Sequence, residues 1–168
     1  MSFSLPSPLN QCTLLLKWNI PSGAYVDPYQ LESLANEDTN FVIGKVDIEK
    51  TQHNSPPLVF HQLSRLHCNQ SCQFIQTIPF HSRYHSPNPG GNPATVTLSP
   101  PRIFTSCNPS SGCIDDKNPS CGWNPLSVSF QSTSISFEVP VGDLSHVSLV
   151  TALTLVITLL GTFFTALK

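Results

Sequence analysis

The chain has 168 residues, of which 11% are charged, with eight Lys and Arg against ten Asp and Glu, and it carries 16 prolines and six cysteines. That charge content is low for a soluble enzyme domain and suits a loop-rich, β-leaning module. With no basic patch to hold phosphates, a nucleic-acid-binding role is excluded.

The start of the chain fits no targeting pattern. Met1-Ser-Phe-Ser-Leu-Pro lacks a positive n-region, and Leu14-Leu15-Leu16, cut off by Lys17, is too short for a signal-peptide core. Residues 1–19 are therefore set apart as an N-terminal segment of uncertain role. Read literally, a chain with no signal and an apolar C-terminal run is tail-anchored, with its domain in the cytosol. The cysteines argue the other way. Cys12, Cys68, Cys72, Cys107, Cys113 and Cys121 form an even set, which in an oxidising compartment reads as a disulfide framework of undetermined pairing. That favours a signal-bearing segment ahead of this sequence.

The domain is expected over 20–143. Pro21-Ser22-Gly23 is a turn. Asp27 then stands at a helix N-cap, with Pro28 at the first helical position and Gln30 completing an Asp-x-x-Gln capping box. Leu31, Leu34 and Ala35 share one face of the short helix that follows. Phe41–Ile48 reads as a strand, Leu58–Phe60 as a shorter one, and Thr95–Leu98 as a cleanly alternating one. Ser86–Pro93 is a loop rich in Pro, Gly and Asn. Between Ser106 and Pro125, bridges are expected to replace the core. Leu126, Val128 and Phe130, then Ile135, Phe137 and Val139, alternate with polar residues and read as a hairpin or two neighbouring strands. A small, disulfide-prone, mainly β domain is the expected fold class.

The run from Val147 to Leu167 holds no charge and no proline. At ~1.5 Å per helical residue it matches the ~30 Å hydrocarbon core of a bilayer. Its threonines are tolerable there because a hydroxyl can bond the carbonyl one turn back. A single transmembrane helix over 147–167 is expected. One span can hold a domain at a membrane surface, whereas a channel or an intramembrane transport cavity needs more.

Candidate chemistry is sparse. Cys68-x3-Cys72 and His81-x3-His85 supply four zinc-type ligands, but oxidised cysteines do not ligate. Asp115-Asp116 has the look of a metal-binding acid pair, yet no phosphate cradle lies nearby and a solvated turn is the commoner meaning. His81, His85 and Asp27 form no recognisable nucleophile motif with any Ser or Cys. Asn69-Gln70-Ser71 is a glycosylation sequon placed between two cysteines. No cofactor is expected.

Three stretches together resemble the PIG-X family. Pro21-Ser-Gly23-Ala-Tyr25-Val-Asp27-Pro28-Tyr29-Gln-Leu31 is similar to its PSGxYxDPYEL-type motif. Ile78-Pro-Phe-His81-Ser-Arg83-Tyr84-His85-Ser-Pro87 is similar to its HxRYHxP segment. Cys121-Gly-Trp123 and Val139-Pro140-Val-Gly142, leading into the apolar run, follow in family order. The resemblance implies a single-pass protein of the endoplasmic reticulum membrane with its domain in the lumen. It also implies no catalysis of its own, and a role as accessory subunit of the mannosyltransferase that adds the first mannose of a glycosylphosphatidylinositol (GPI) anchor, bound to the multi-span catalytic subunit PIG-M. The motif residues Pro21, Gly23, Tyr25, Asp27, Pro28, Tyr29, His81, Arg83, Tyr84, His85, Pro140 and Gly142 are then candidates for partner contact. Cys68, Cys72, Cys107, Cys113 and Cys121 are candidates for disulfides, and Asn69 for a glycan. Ser82 stands where the better-known members have a cysteine, so no pairing is transferred. From other classes, a GPI-anchored surface protein and a tail-anchored cytosolic module are the rival readings.

Overall fold

The structure, a computed structural model, describes residues 2–5, 9–34, 39–68, 72–107, 113, 119–128, 130 and 134–167. The first strands are β1 (Ser2–Leu5), β2 (Leu9–Ile20) and β3 (Ala24–Tyr25), followed by helix α1 (Pro28–Leu34) and β4 (Thr39–Ile43). Then come β5 (Leu58–Cys68), β6 (Cys72–Ile75), β7 (His81–Ser82), β8 (Ala94–Leu98) and β9 (Arg102–Ser106). Strands β10 (Asn124–Leu126) and β11 (Ile135–Val139) precede the long helix α2 (Val147–Ala166). The fold is mainly β.

A five-stranded antiparallel sheet in the order β10-β9-β2-β5-β4 dominates, and β1-β6, β3-β7 and β8-β11 form two-stranded pairs. One face of the sheet presents Leu14, Leu16, Trp18 and Ile20 from β2, Leu58, Phe60 and Leu66 from β5, and Ile103 from β9. Phe3, Leu5, Ala24, Val96, Leu98 and Val139 from the small pairs join the same core, so the pairs form a second layer over that face.

The segment set apart as 1–19 supplies the central strand of the sheet. Leu14, Leu15 and Leu16 are each fully buried. Leu14 and Leu16 face the core, while Leu15 pairs with Leu63 and Phe104 on the opposite face. A strand covered on both faces is apolar without interruption rather than alternating, which is why this one resembles a broken signal core. At its start Gln11, at φ 60, is the extra residue of a β-bulge between Asn10 and Cys12. The ladder Thr13↔Ser106 then brings Cys12 beside Cys107, and the two are disulfide-bonded.

Other expectations shift as well. The strand expected over 41–48 ends at Ile43, because Gly44 at φ +106 turns the chain out of the sheet. The short strand at 58–60 runs on to Cys68, through His61, Gln62 and Ser64, all buried. The expected pairing of the last two strands is replaced: β10 pairs with β9, and β11 with β8. Pro125 is accommodated because β10 is an edge strand.

The chain leaves the β domain through a 3-10 turn at Leu144–His146 and continues as α2. Leu144–Ala166 is long and apolar enough to cross a membrane, with mean hydropathy 2.2 and no side chain packed into the domain. The threonines bond backwards as the sequence implies: Thr154 and Thr158 donate to Val150 O and Thr154 O at 2.8 Å, and Thr162 and Thr165 to Thr158 O and Gly161 O.

Candidate functional site

The first two motif stretches, some fifty residues apart in the chain, meet as β3 and β7. Ala24 pairs with Ser82 and Tyr25 with His81. The approach starts from local chemistry. Ala24 N–H closes the Pro21 turn at 3.0 Å, leaving Gly23 flat against the core. A Cβ on Gly23 would lie 2.8 Å from Val96 Cγ2 and 2.9 Å from His85 Nε2, so only glycine admits this contact. Arg83 N–H then donates to Gly23 O at 2.9 Å and continues the pairing past His81.

Arg83 is the centre of the cluster. Its side chain is 4% exposed, and Nη1 donates to Asp47 O at 2.6 Å and Lys50 O at 2.8 Å. The guanidinium carbon sits 4.8 Å from the centroid of the Tyr25 ring, a cation–π distance. Tyr25 in turn stacks on His81 at 5.2 Å. Burial pulls the Arg83 pKa below its usual value, against the opposing pull of Tyr25 and Asp47. The residues after Gly44 are thereby gathered in: Asp47 and Lys50 offer their carbonyls to Arg83, and Gln52 N–H donates to Tyr84 O at 2.8 Å. Gln52 Nε2 also reaches Ser22 Oγ at 3.0 Å.

The remaining motif residues have internal partners. Asp27 accepts from Tyr29 N–H at 2.9 Å and caps α1 as expected, but Gln30 does not close the capping box; its Oε1 lies 2.6 Å from His81 Nε2. His85 Nδ1 donates to Arg83 O at 2.9 Å. The histidine pair of the zinc alternative is thus turned towards separate partners. Among the described residues no three His, Cys, Asp or Glu side chains converge as a metal site. In this cluster two motif side chains point outward, Tyr29, 78% exposed, and Tyr84, 82% exposed.

Gly142 belongs to a second cluster, at the foot of α2. Asn88-Pro89-Gly90-Gly91 is a tight turn with Gly91 N–H bonded to Asn88 O at 3.2 Å and Gly90 at φ +86, the arrangement that needs glycine at its third position. Asn88 N–H donates to Gly142 O and Asn88 O accepts from Leu144 N–H, both at 3.1 Å. Asp143 Oδ1 accepts from Gly90 N–H at 2.9 Å and Ser145 N–H at 2.8 Å. The Ser145 bonds, ahead of the Gly90 bond, hold the Asp143 pKa below its usual value. Gly142 lies against Pro87, and Pro140 is exposed. Sequence reasoning missed Asn88 and Asp143. The Pro89-Gly90 pair and the Asp-x-Ser spacing of Asp143 and Ser145 were the available signals.

Cys121-Gly122-Trp123 lies outside both clusters. Cys121 is bonded to Cys113, and its carbonyl accepts from Ser106 Oγ at 2.8 Å. Asn69, Asp115 and Asp116 lie outside the described residues, as do the side chains of Cys68 and Cys72.

A family model described as PIG-X / PBN1 matches residues 2–168. The "GPI alpha-1,4-mannosyltransferase I, stabilizing subunit" of Homo sapiens is 29% identical over 168 residues, covering 90% of this chain and 65% of that protein. The protein of the same name from Mus musculus is 27% identical over 170 residues, covering 90% of this chain and 66% of its own length. "Protein pbn1" of Schizosaccharomyces pombe is 24% identical over 153 residues, covering 85% of this chain and 46% of that protein. The chain thus spans about two thirds of the length of its mammalian relatives. No solved structure matches it.

Proposed function

Because the chain belongs to the PIG-X / PBN1 family, we propose that it acts as the non-catalytic stabilising subunit of GPI mannosyltransferase I, the enzyme adding the first mannose to a GPI anchor precursor. In this reading α2 crosses the endoplasmic reticulum membrane once and the β domain lies in the lumen. The partner is the multi-span catalytic subunit PIG-M, which transfers mannose from dolichol-phosphate-mannose to glucosaminyl-phosphatidylinositol.

One observation carries the reading. Arg83, His81, His85 and Asp27, the motif groups with chemistry to offer, are all bonded within the chain, while Tyr29 and Tyr84 project into solvent. Groups held by backbone carbonyls and a cap position surface loops rather than turn over substrate. Exposed tyrosines on a fixed base are the side chains that interfaces favour. Along α2, Ser148, Thr151, Ala152, Gly161 and Thr162 allow close approach of a second helix. A partner bound to the folded catalytic subunit and not to its unfolded form stabilises it by mass action.

The test is co-purification of the full-length, signal-bearing protein from detergent-solubilised microsomes. Recovery of a multi-span mannosyltransferase whose level falls on depletion of this chain is the expected result. Recovery of the chain alone, with GPI-anchored proteins unchanged by depletion, overturns the reading.

A further inference from the structure

The turn at the foot of α2 is bonded to the residues where the apolar run begins. Leu144–Ala166 comprises 23 residues, which at ~1.5 Å each make about 34 Å, slightly more than the ~30 Å hydrocarbon core. A span centred in the bilayer places Leu144 at the edge of that core and Asp143 just outside it. The backbone bonds of Asn88 to Gly142 and Leu144 fix the Asn88–Gly91 turn at the same depth. The headgroup layer is ~5–8 Å thick on each side, wider than the ~4.8 Å spacing of adjacent backbones. The turn therefore lies within this layer and not above it.

Its chemistry suits that position. Ser86–Pro93 contains no charged residue, and Pro89 and Gly90 at its tip are exposed. Asp143, the acid at this depth, has Oδ1 held by two backbone N–H groups, so its charge is already partnered before any lipid phosphate approaches. A side chain on Gly91 would crowd Asp143, with a Cβ only 3.2 Å from the Asp143 Cβ. The turn is close-fitted to the helix foot.

We propose that the Asn88–Asn92 turn is a headgroup-level foot that seats the β domain on a zwitterionic phospholipid surface, with Asp143 latching it to the start of α2. This rests on the reading above that α2 crosses the membrane. It does not require the catalytic subunit.

The experiment uses the full chain alone, reconstituted in phosphatidylcholine vesicles carrying nitroxide lipids labelled either at the headgroup or at mid-chain. Pro89→Trp reports the foot and Leu155→Trp the middle of α2, with the signal of Trp18 and Trp123 measured in the parent chain and subtracted. The expected result is Pro89→Trp quenched more strongly by the headgroup label, and Leu155→Trp by the mid-chain label. Adding Asp143→Ala should reduce headgroup quenching at position 89 and leave position 155 unchanged. Asn92→Trp, on an exposed residue whose backbone is bonded to the Asn88 side chain, reads the same turn should the position-89 variant not fold. Quenching at 155 without quenching at 89 or 92 overturns the foot while leaving the span intact. No quenching at 155 overturns both. Unchanged quenching at 89 after Asp143→Ala overturns the latch.

Discussion

Replacing Arg83 with methionine tests whether the motif is built for internal support. Methionine keeps much of the volume and removes the donors. Asp47 O and Lys50 O would each lose a charged donor now at 2.6 and 2.8 Å. Losing a hydrogen bond to a charged donor costs ~1.5–3 kcal/mol, towards the lower end here because both bonds are part-buried, and losing the guanidinium above the Tyr25 ring costs a further ~0.5–2 kcal/mol. Removing a buried cation also removes its own desolvation penalty, which offsets part of this. The net expectation is a destabilisation of about 3 kcal/mol. Arg83→Lys should recover only part of it, because an ammonium has neither the planar fork nor the ring-stacking face. Denaturant unfolding of the full chain in detergent micelles, followed by near-ultraviolet circular dichroism, measures the difference. An Arg83→Met variant within about 1 kcal/mol of the parent would show that the clamp is not a structural centre, and would return Arg83 to the list of groups available to a partner.

Gly23→Ala should cost ~1–3 kcal/mol, since its Cβ meets Val96 and His85 inside 3.0 Å; thermal unfolding reads the loss. The Cys12–Cys107 bridge spans 95 residues and the Cys113–Cys121 bridge 8. On loop-entropy grounds they contribute roughly 4–5 and 2.5 kcal/mol, so the Cys12→Ser/Cys107→Ser pair should lower the guanidinium midpoint more than Cys113→Ser/Cys121→Ser. Asp143 has a depressed pKa in the folded chain. Its contribution is therefore complete above the ordinary carboxylate value of about 3.9 and is lost as pH falls through the folded value. Exchange protection of the Gly90 and Ser145 amides, corrected for intrinsic rate, should fall in that acidic window and show no such step in Asp143→Asn. If the proposed accessory role holds, replacing Thr151 and Thr158 with leucine should lower the steady-state level of the proposed catalytic partner by immunoblot, and an unchanged level would count against a helix-mediated contact.

What the sequence made legible was local chemistry. Asp27-Pro28 announces the start of α1 because capping is settled within four residues, and α2 announces itself by length and uniform apolarity. Alternation located β8 and β11 but said only which face each residue takes, not which strand lies alongside, so the pairing of the last two strands came out wrong. Strands buried on both faces, or buried through polar residues, lose the pattern altogether. Leu14-Leu15-Leu16 looked like part of a failed signal sequence, and β5 disappeared after Phe60 because His61, Gln62 and Ser64 do not look like core. At the site, the motif residues were visible as a set. That Arg83 faces two backbone carbonyls and Tyr25 faces His81 depends on contacts across 33 to 56 residues, which residue type alone does not encode.

The place of β2 in the sheet sets the order in which this molecule can be finished during synthesis. As the chain emerges from the ribosome, the strand destined for the centre appears before any of its neighbours, with two open edges. Its partner β9 is made some 90 residues later, a wait of about 5–18 s at ~5–20 residues per second. The bond from Cys12 to Cys107 must wait just as long. Until then β2 can pair with β5 alone, and the edge along Leu14–Leu16 that receives β9 stays open. Among the described elements β10, β11 and α2 follow once the centre closes, so the middle of the sheet and the Cys12–Cys107 bridge are completed late in the order of synthesis.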